Sequence, residues 1–351
     1  MALVELDGSR YSGSGTIVRQ AVALAALTKK SVRIVNVRVK RPKPGLRRQH
    51  VQVVKAIEEL VSGNSEGITP GSKEIVFSPG KPAPREHYTW DIGSAGSTTA
   101  LAIAVLPVAA FSPFPVSAEI RGGLFQDFSP SFYHLENVLL PFLELMGIQV
   151  TVRMERPGYV PTGNGILHLA VTPAAKPLRP LVLNDPGQVK KIWGIALCSR
   201  LKAQRVSDRM AESAKEKLET AGYKSEFHMI YDESALQPGA ALAAFADLER
   251  GGRIGSDRAG APGRRSEIIG NYVARQLLED IRTGAAIDRH ASDQIIPFAA
   301  LAAGESQLRI PSISDHVQSN AWLCETFLGA KIAARENEIV VEGIGLAPKS
   351  I

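Results

Sequence analysis

A histidine near the C-terminal end of the chain has neighbours that would suit nucleophilic chemistry. His316 lies in the segment Ile-Ser-Asp-His-Val-Gln-Ser-Asn at a predicted helix start, and Asn320 follows four residues later. That spacing places both side chains on one face of a helix. Imidazole is largely neutral at pH 7, and its free nitrogen can attack an activated phosphorus atom. A histidine in such a position is usually structural, so residue type and spacing leave both roles open.

Two glycine-rich turns could bind phosphate. The segments Tyr-Ser-Gly-Ser-Gly-Thr at 11–16 and Gly-Ser-Ala-Gly-Ser-Thr at 93–98 each precede a predicted helix. Backbone N–H groups at a helix N-terminus suit an anion, and glycine permits its close approach. Neither turn matches the P-loop or the dinucleotide-binding pattern. One such turn is most often ordinary helix-start chemistry, but two at equivalent points favour a phosphate-binding cleft.

A run of basic residues follows the second predicted strand. Residues 38–48 contain no acid, and their basic members are Arg38, Lys40, Arg41, Lys43, Arg47 and Arg48. Two prolines and a glycine predict a shaped loop instead of a helix. Such a run is usually a solvated face. The functional alternative is contact with the phosphates of a nucleic acid, because clustered arginine and lysine displace its counterions.

Length and composition limit the class of protein. The chain has 351 residues, 44% hydrophobic and 22% charged, which is typical of a globular protein with two or three folding units. Its two cysteines lie far apart and predict neither a disulfide framework nor a thiolate metal site. The longest apolar stretch, 98–111, is too short to cross a bilayer, and the first residues lack a signal-peptide pattern. We therefore expect a cytoplasmic protein without a membrane partner.

The elements that must position these residues repeat along the chain. Strand and helix patterns recur three times, with His50, His134 and His316 at the starts of equivalent helices. The second interval between these histidines exceeds the first by about 98 residues, the size of a small domain. The sequence thus predicts an α+β protein in which residues 1–181 and 285–351 form a large domain. Residues 182–284 are predicted to form an inserted α+β domain.

Taken together, these segments resemble the RNA 3′-terminal phosphate cyclase family over essentially the whole chain. The resemblance is carried by LDGS at 6–9, RPKPGLRRQH at 41–50, GSAGS at 93–97, RGG at 121–123, RPGYVPTGNG at 156–165, ASDQ at 291–294, and His316 with Asn320. It implies three repeated βαβαββ units with a smaller inserted domain. It also implies that His316 attacks the α-phosphate of ATP, and that AMP then passes to an RNA 3′-phosphate. Attack by the neighbouring 2′-hydroxyl would leave a 2′,3′-cyclic end.

The resemblance also implies positions for the remaining contacts. The predicted nucleotide-binding residues are Arg19, Ile103, His290, Ala291, Ser292, Asp293, Gln294 and Asn320. The predicted RNA- and phosphate-binding residues are Arg38, Arg41, Lys43, Arg47, Arg48, Gln49 and His50. The implied cofactors are ATP and a divalent cation, Mg²⁺ or Mn²⁺, whose ligands the sequence does not identify. The implied partners are RNA 3′ ends.

Several polar positions depart from the family pattern. A metal-linked glutamate and a glutamine are replaced by Ser12 and Thr16, and a nucleotide-contacting glutamine is replaced by Ile103. The departures predict weakened or altered handling of nucleotide and metal. They also keep two alternatives open. One is a cyclase-like RNA-binding or ribosome-assembly protein without turnover, which retention of His316 opposes. The other is an adenylyltransferase that acts on a different phosphorylated end.

Overall fold

The first repeat is a four-stranded sheet with two helices. In the computed structural model, which describes residues 2–351, its elements are β1 (Leu3–Asp7), α1 (Gly15–Thr28), β2 (Ser31–Val35), α2 (Arg48–Leu60), β3 (Asn64–Glu66) and β4 (Ile75–Ser78). The strand order is β1-β2-β4-β3. β1 and β2 are parallel, as a crossover through α1 requires, and the other pairs are antiparallel.

The second repeat has the same order of elements. They are β5 (Tyr88–Asp91), α3 (Thr98–Phe111), β6 (Val116–Gly122), α4 (Phe132–His134), α5 (Leu140–Met146), β7 (Gln149–Arg156) and β8 (Gly165–Thr172). A π-helical stretch, Leu135–Leu139, joins α4 to α5, so the three form one continuous helical segment. The strand order β5-β6-β8-β7 matches that of the first sheet.

The insert has its own sheet and two covering helices. After the short strand β9 (Val182–Leu183) come β10 (Val189–Ser199), α6 (Val206–Thr220), β11 (Ser225–Asp232), β12 (Gly239–Leu248), β13 (Arg253–Ala259) and α7 (Ser266–Arg282). The sheet has the order β11-β10-β12-β13. A separate hydrophobic cluster forms between this sheet and its helices, with Met210, Leu218, Val273 and Leu277 buried in it.

The third repeat closes the large domain. Its remaining elements are α8 (Ala291–Gln294), α9 (Ile296–Leu301), β14 (Ala303–Arg309), α10 (Asp315–Leu328), β15 (Lys331–Arg335) and β16 (Glu338–Ile344). The sheet order β9-β14-β16-β15 repeats the pattern of the other two. The predicted α+β class with three βαβαββ units is therefore confirmed.

One predicted boundary needs correction. Val182 and Leu183, assigned from the sequence to the insert, pair with Gln307 and Leu308 of β14 and belong to the third sheet. A two-residue strand carries too little periodicity to be recognised in a sequence. We propose that the insert covers residues 184–284, between the first strand and first helix of the third repeat.

The helices of the three repeats meet in one apolar core. Helix α1 lies at its centre and packs against α2, α3 and α10. Every residue of α3 is buried, which explains the long apolar run in the sequence. Each large side chain buried in this way stabilises the fold by about 1.5–3 kcal/mol. Among residues 2–351, no helix is long and apolar enough to cross a membrane.

Candidate active site

The helix starts of α1 and α10 bring the candidate nucleophile to a threonine far away in the sequence. Ser14 caps α1 by accepting a hydrogen bond from the Thr16 N–H, and Ser314 caps α10 by accepting one from the Val317 N–H. Because the two helices pack together, the Thr16 Oγ1 lies 3.1 Å from the Nδ1 of His316. The first turn of the first repeat therefore contacts the last helix of the third.

The surroundings of His316 keep its imidazole neutral. Burial lowers its pKa to about 4, and the positive charges of Arg19 and Arg41 act in the same direction. Nearby Asp315 opposes the shift only in part. At pH 7 the ring is therefore uncharged and one of its nitrogens keeps a free lone pair, as a nucleophile requires.

Thr16 contacts the Nδ1 of His316, and the tautomer of the ring determines which of the two atoms donates. The Arg19 Nη2 donates to the Thr16 Oγ1 over 3.1 Å, so the threonine oxygen already serves as an acceptor. A hydroxyl oxygen has two acceptor sites, and a second donor fits beside the guanidinium. In the tautomer with Nδ1–H donating to Thr16, the lone pair lies on the Nε2 of His316. In that tautomer the hydrogen bond holds the ring through Nδ1 and leaves Nε2 as the nitrogen with a free lone pair.

We predict that Thr16→Val slows nucleotide transfer to His316 by about tenfold to a hundredfold, on the scale of losing one hydrogen bond to a reacting group. Valine keeps the shape of threonine, but it cannot accept from Nδ1 and leaves the tautomer unfixed. The measurement is the single-turnover rate of covalent labelling by α-labelled ATP. Thr16→Ser should restore most of the rate, and an unaltered rate in Thr16→Val would contradict the role of this hydrogen bond.

A half-buried arginine, Arg19, and a buried aspartate, Asp293, lie behind the histidine. Burial lowers the pKa of Arg19 to about 10, so the guanidinium stays charged at neutral pH. Burial also raises the pKa of Asp293 to about 7, although Gln294 donates to this carboxylate and Arg19 is close. The carboxylate therefore offsets only part of the Arg19 charge. The remaining positive charge faces the region around His316 and suits an anion.

The predicted nucleotide contacts separate into two groups. His290 is exposed and borders the site, and Arg19 lies beside His316. The others are buried, and they are Ile103, Ala291, Ser292, Asp293, Gln294 and Asn320. The Asn320 Nδ2 donates over 2.6 Å to the carbonyl of Asp293, which holds α8 against α10. Ile103 packs in the main core and offers no hydrogen bond. In this structure these six buried residues pack beneath the surface of the site and do not line it.

The basic run is an ordered loop, as the sequence predicts. Arg38 donates to the carbonyls of Lys43 and Gly45, and Leu46 is buried. Hydrogen bonds within the loop and one core contact therefore hold its shape. Lys43, Arg47 and Arg48 are exposed and Arg41 is half-buried. Arg38 therefore shapes the loop, while Arg41 places positive charge near His316.

His50 and Gln49 hold the two glycine-rich turns in place. His50 is buried and its Nδ1 accepts the Arg47 N–H over 3.0 Å, while burial holds its pKa well below the usual range. A Cβ at Gly15 would lie 2.1 Å from the His50 ring, so packing alone requires this glycine. The Gln49 Oε1 accepts the Ser97 N–H over 3.1 Å. The predicted RNA contact at His50 is thus a buried structural residue.

Hydroxyl groups surround the position where a metal-linked carboxylate was expected. The Ser12 Oγ lies 3.1 Å from the Ser14 Oγ and accepts from the Ser319 Oγ over 2.8 Å. Across residues 2–351 no group of three or more His, Cys, Asp or Glu side chains could hold a metal ion. These neutral hydroxyls do not fit the hard cation that the resemblance implies.

Sequence reasoning missed the residues that connect the first and third repeats. Thr16 entered only as a departure from a glutamine, and Ser319 was not identified at all. Their partners His316 and Ser12 are 300 and 307 positions away in the chain. The only available signal was that Ser319 lies one helical turn after His316.

A neutral histidine beside arginines, on a scaffold of three α+β repeats, is suited to the transfer of phosphorus groups. The family described as RNA 3′-terminal phosphate cyclase matches residues 10–334. Proteins named RNA 3′-terminal phosphate cyclase are similar along nearly the full length. The one from Methanopyrus kandleri is 39% identical over 96% of this chain and 97% of its own, and the one from Hyperthermus butylicus is 40% identical over 99% and 98%. The chain belongs to the RNA 3′-terminal phosphate cyclase family, as the sequence predicted.

A comparison with solved structures adds nothing to that assignment. The enolpyruvyl transferase NikO from Streptomyces tendae is 11% identical, and 98% of this chain and 82% of that one are covered. The TM-score is 0.25, which is too low to support an argument.

Proposed function

We propose that this protein converts an RNA 3′-phosphate into a 2′,3′-cyclic phosphate, uses ATP, and carries AMP covalently on His316. The observation that supports the proposal best is the state of His316. Its pKa of about 4 leaves it neutral, and Thr16 contacts its Nδ1, so its Nε2 is available as a nucleophile. Family membership supplies the substrate class.

The proposed reaction has three steps. The Nε2 of His316 attacks the α-phosphorus of ATP, a phosphorus–nitrogen bond forms, and pyrophosphate leaves. An oxygen of the RNA 3′-phosphate then attacks the same phosphorus, so the histidine leaves and AMP is joined to the RNA end. The 2′-hydroxyl attacks the 3′-phosphorus, loses its proton and expels AMP. Arg19 and Arg41 place positive charge where each step gathers negative charge.

A labelling and chase experiment tests the proposal. The protein is incubated with α-labelled ATP, denatured and separated by electrophoresis. We expect a covalent label that is labile to acid, because a phosphoramidate bond to nitrogen hydrolyses there. RNA with a 3′-phosphate should discharge the label and gain a cyclic end, whereas RNA with a 3′-hydroxyl should not. No label would favour the binding-protein alternative, and discharge only by another phosphorylated end would favour the other adenylyltransferase.

We predict that the basic loop binds RNA by charge. Replacing Arg41, Arg47 and Arg48 by glutamine should reduce the slope of log Kd against log salt by about 2, since each phosphate contact to a single strand contributes roughly 0.7. The measurement is fluorescence anisotropy with a labelled RNA at several salt concentrations.

A matched control removes the same charge elsewhere. Arg265, Arg275 and Lys331 are exposed on the insert and the third sheet, with 72%, 57% and 80% of their side chains accessible. Their replacement by glutamine should leave the slope nearly intact. If both triple variants change the slope equally, the loop is an ordinary solvated face.

The cytoplasmic location predicted from the sequence stays a prediction. Fractionation of cells that produce the tagged full-length chain would test it.

A further inference from the structure

Three family-like segments that the proposed reaction does not use meet around one polar cavity. The turn at 93–97, the segment at 121–123 and the loop at 156–165 enclose a space of about 310 Å³. It opens where the parallel strands β5 and β6 end, with Asp91 directly beside Arg121. We call it the Arg156 cavity. The side chains that matter for its chemistry are those of Asp91, Arg121, Arg156, Thr162 and Asn164.

The walls of the Arg156 cavity are locked together. The Arg156 Nε donates over 2.8 Å to the carbonyl of Asn164, which closes the loop on itself. A Cβ at Gly163 would lie 2.7 Å from the carbonyl oxygen of Ser94, so the loop packs directly on the second glycine-rich turn. Thr162 donates a hydrogen bond to Gln237 of the insert. Contacts between the wall segments therefore define the shape of the cavity.

The Arg156 cavity adjoins the basic loop. The Arg48 Nη1 donates over 2.6 Å to the carbonyl of Gly93, which lines the cavity. Four residues farther along the same turn, the Ser97 N–H donates to Gln49, the residue that follows Arg48. A strand of nucleic acid that leaves the basic loop would pass from Arg48 directly to this cavity.

The groups in the cavity combine donors for phosphate with an acceptor for a hydroxyl. Apart from its Nε, the guanidinium of Arg156 has no hydrogen-bond partner within residues 2–351. Arg121 is paired with Glu119, which holds it in place and offsets part of its charge. The Asp91 Oδ1 accepts the Gly93 N–H over 2.7 Å, and its Oδ2 has no partner in the described chain. Phosphate alone would be repelled by this carboxylate. A ribonucleotide brings both a phosphate for the arginines and a 2′-hydroxyl for the aspartate.

We propose that the Arg156 cavity binds a ribonucleotide of the RNA strand upstream of the reactive 3′ end. Arg156 and Arg121 contact its phosphate, and the Asp91 Oδ2 accepts its 2′-hydroxyl. The inference rests on the proposed function, since it assigns a place to the strand that carries the 3′-phosphate. It adds selectivity for RNA over DNA at an internal nucleotide.

Steady-state kinetics with an RNA 3′-phosphate test the arginine. Arg156→Gln should raise the KM for RNA by about tenfold, the effect of losing a charged hydrogen bond. The kcat at saturating RNA and the labelling by ATP alone should not change. The control is Arg153→Gln, which removes the same charge from an exposed side chain of β7 outside the cavity. Equal KM values in the two variants would overturn the proposal.

Modified RNA substrates test the role of Asp91. This test works with the unaltered protein, so it does not require any variant to fold. A single 2′-deoxy substitution is moved through the four nucleotides that precede the terminal one. With unaltered protein we expect the KM to rise at one position only. In Asp91→Ala no polar side-chain atom remains to bond the 2′-hydroxyl, so this position effect should vanish. A flat scan with unaltered protein would overturn the proposal even if Arg156→Gln does not fold.

Labelling by ATP without RNA separates this inference from the proposed function. If the protein labels and cyclises but the scan is flat, the function stands and the cavity proposal fails. If the protein does not label, the same RNAs and variants are compared by binding anisotropy. A position-dependent loss of affinity would then support the cavity without the reaction, and a uniform affinity would overturn it.

Discussion

Replacing His316 by alanine is expected to abolish covalent labelling by α-labelled ATP. The reason is that the variant has no nitrogen to form the phosphoramidate, while the arginines that attract the nucleotide remain. The fold should survive, since His316 is only half-buried and its core-facing neighbour Val317 is unchanged. Rate losses of this kind exceed those from orienting groups, because the covalent step itself disappears. The measurement is labelling under denaturing electrophoresis, with circular dichroism as a check on folding.

The exposed histidine beside the site provides a matched control. His290→Ala removes an imidazole close to His316 but leaves the nucleophile in place. It should still label, with at most a higher requirement for ATP. Labelling that persists in His316→Ala, or that disappears only in His290→Ala, would show that the nucleophile has been assigned to the wrong residue.

The second large effect is expected at Arg19. Arg19→Met should slow labelling by about a hundredfold or more, the scale measured when one preorganised donor is removed from a transition state. Three effects act together. The positive charge near the phosphates is lost, Thr16 loses its donor, and the pKa of His316 moves back toward its usual value. Single-turnover labelling at saturating ATP measures the rate of the chemical step.

Two further variants separate charge from geometry at this position. Arg19→Lys keeps the charge but cannot reproduce the guanidinium contact, so its rate should be intermediate. Arg33→Met removes an exposed arginine that only pairs with Glu5 and Glu74, and it should behave like the unaltered protein. Thermal unfolding should change little in Arg19→Met, because Asp293 takes up a proton readily once the cation is gone. A labelling rate within threefold of normal would contradict the proposed role of Arg19.

The sequence alone determined the repeat architecture and the family. These inferences rest on local patterns, such as helical spacing, glycine before a helix and a shaped basic loop, which neighbouring residues specify. The place of His316 near a helix start was predicted in the same way, whereas its proposed role as a nucleophile came from the resemblance to the family. Local patterns of this kind carry information about only a few neighbouring positions along the chain.

Only the tertiary structure decided what surrounds His316. The contact with Thr16 spans 300 positions and exists because α1 and α10 pack in one core, which no local pattern encodes. Packing also decided that Ile103 and Asn320 are buried and that His50 sits against Gly15. The same packing fixes the charge of His316, since a pKa depends on burial and on cations brought close in space. A sequence shows which side chains are available, and the docking of distant helices determines which of them touch.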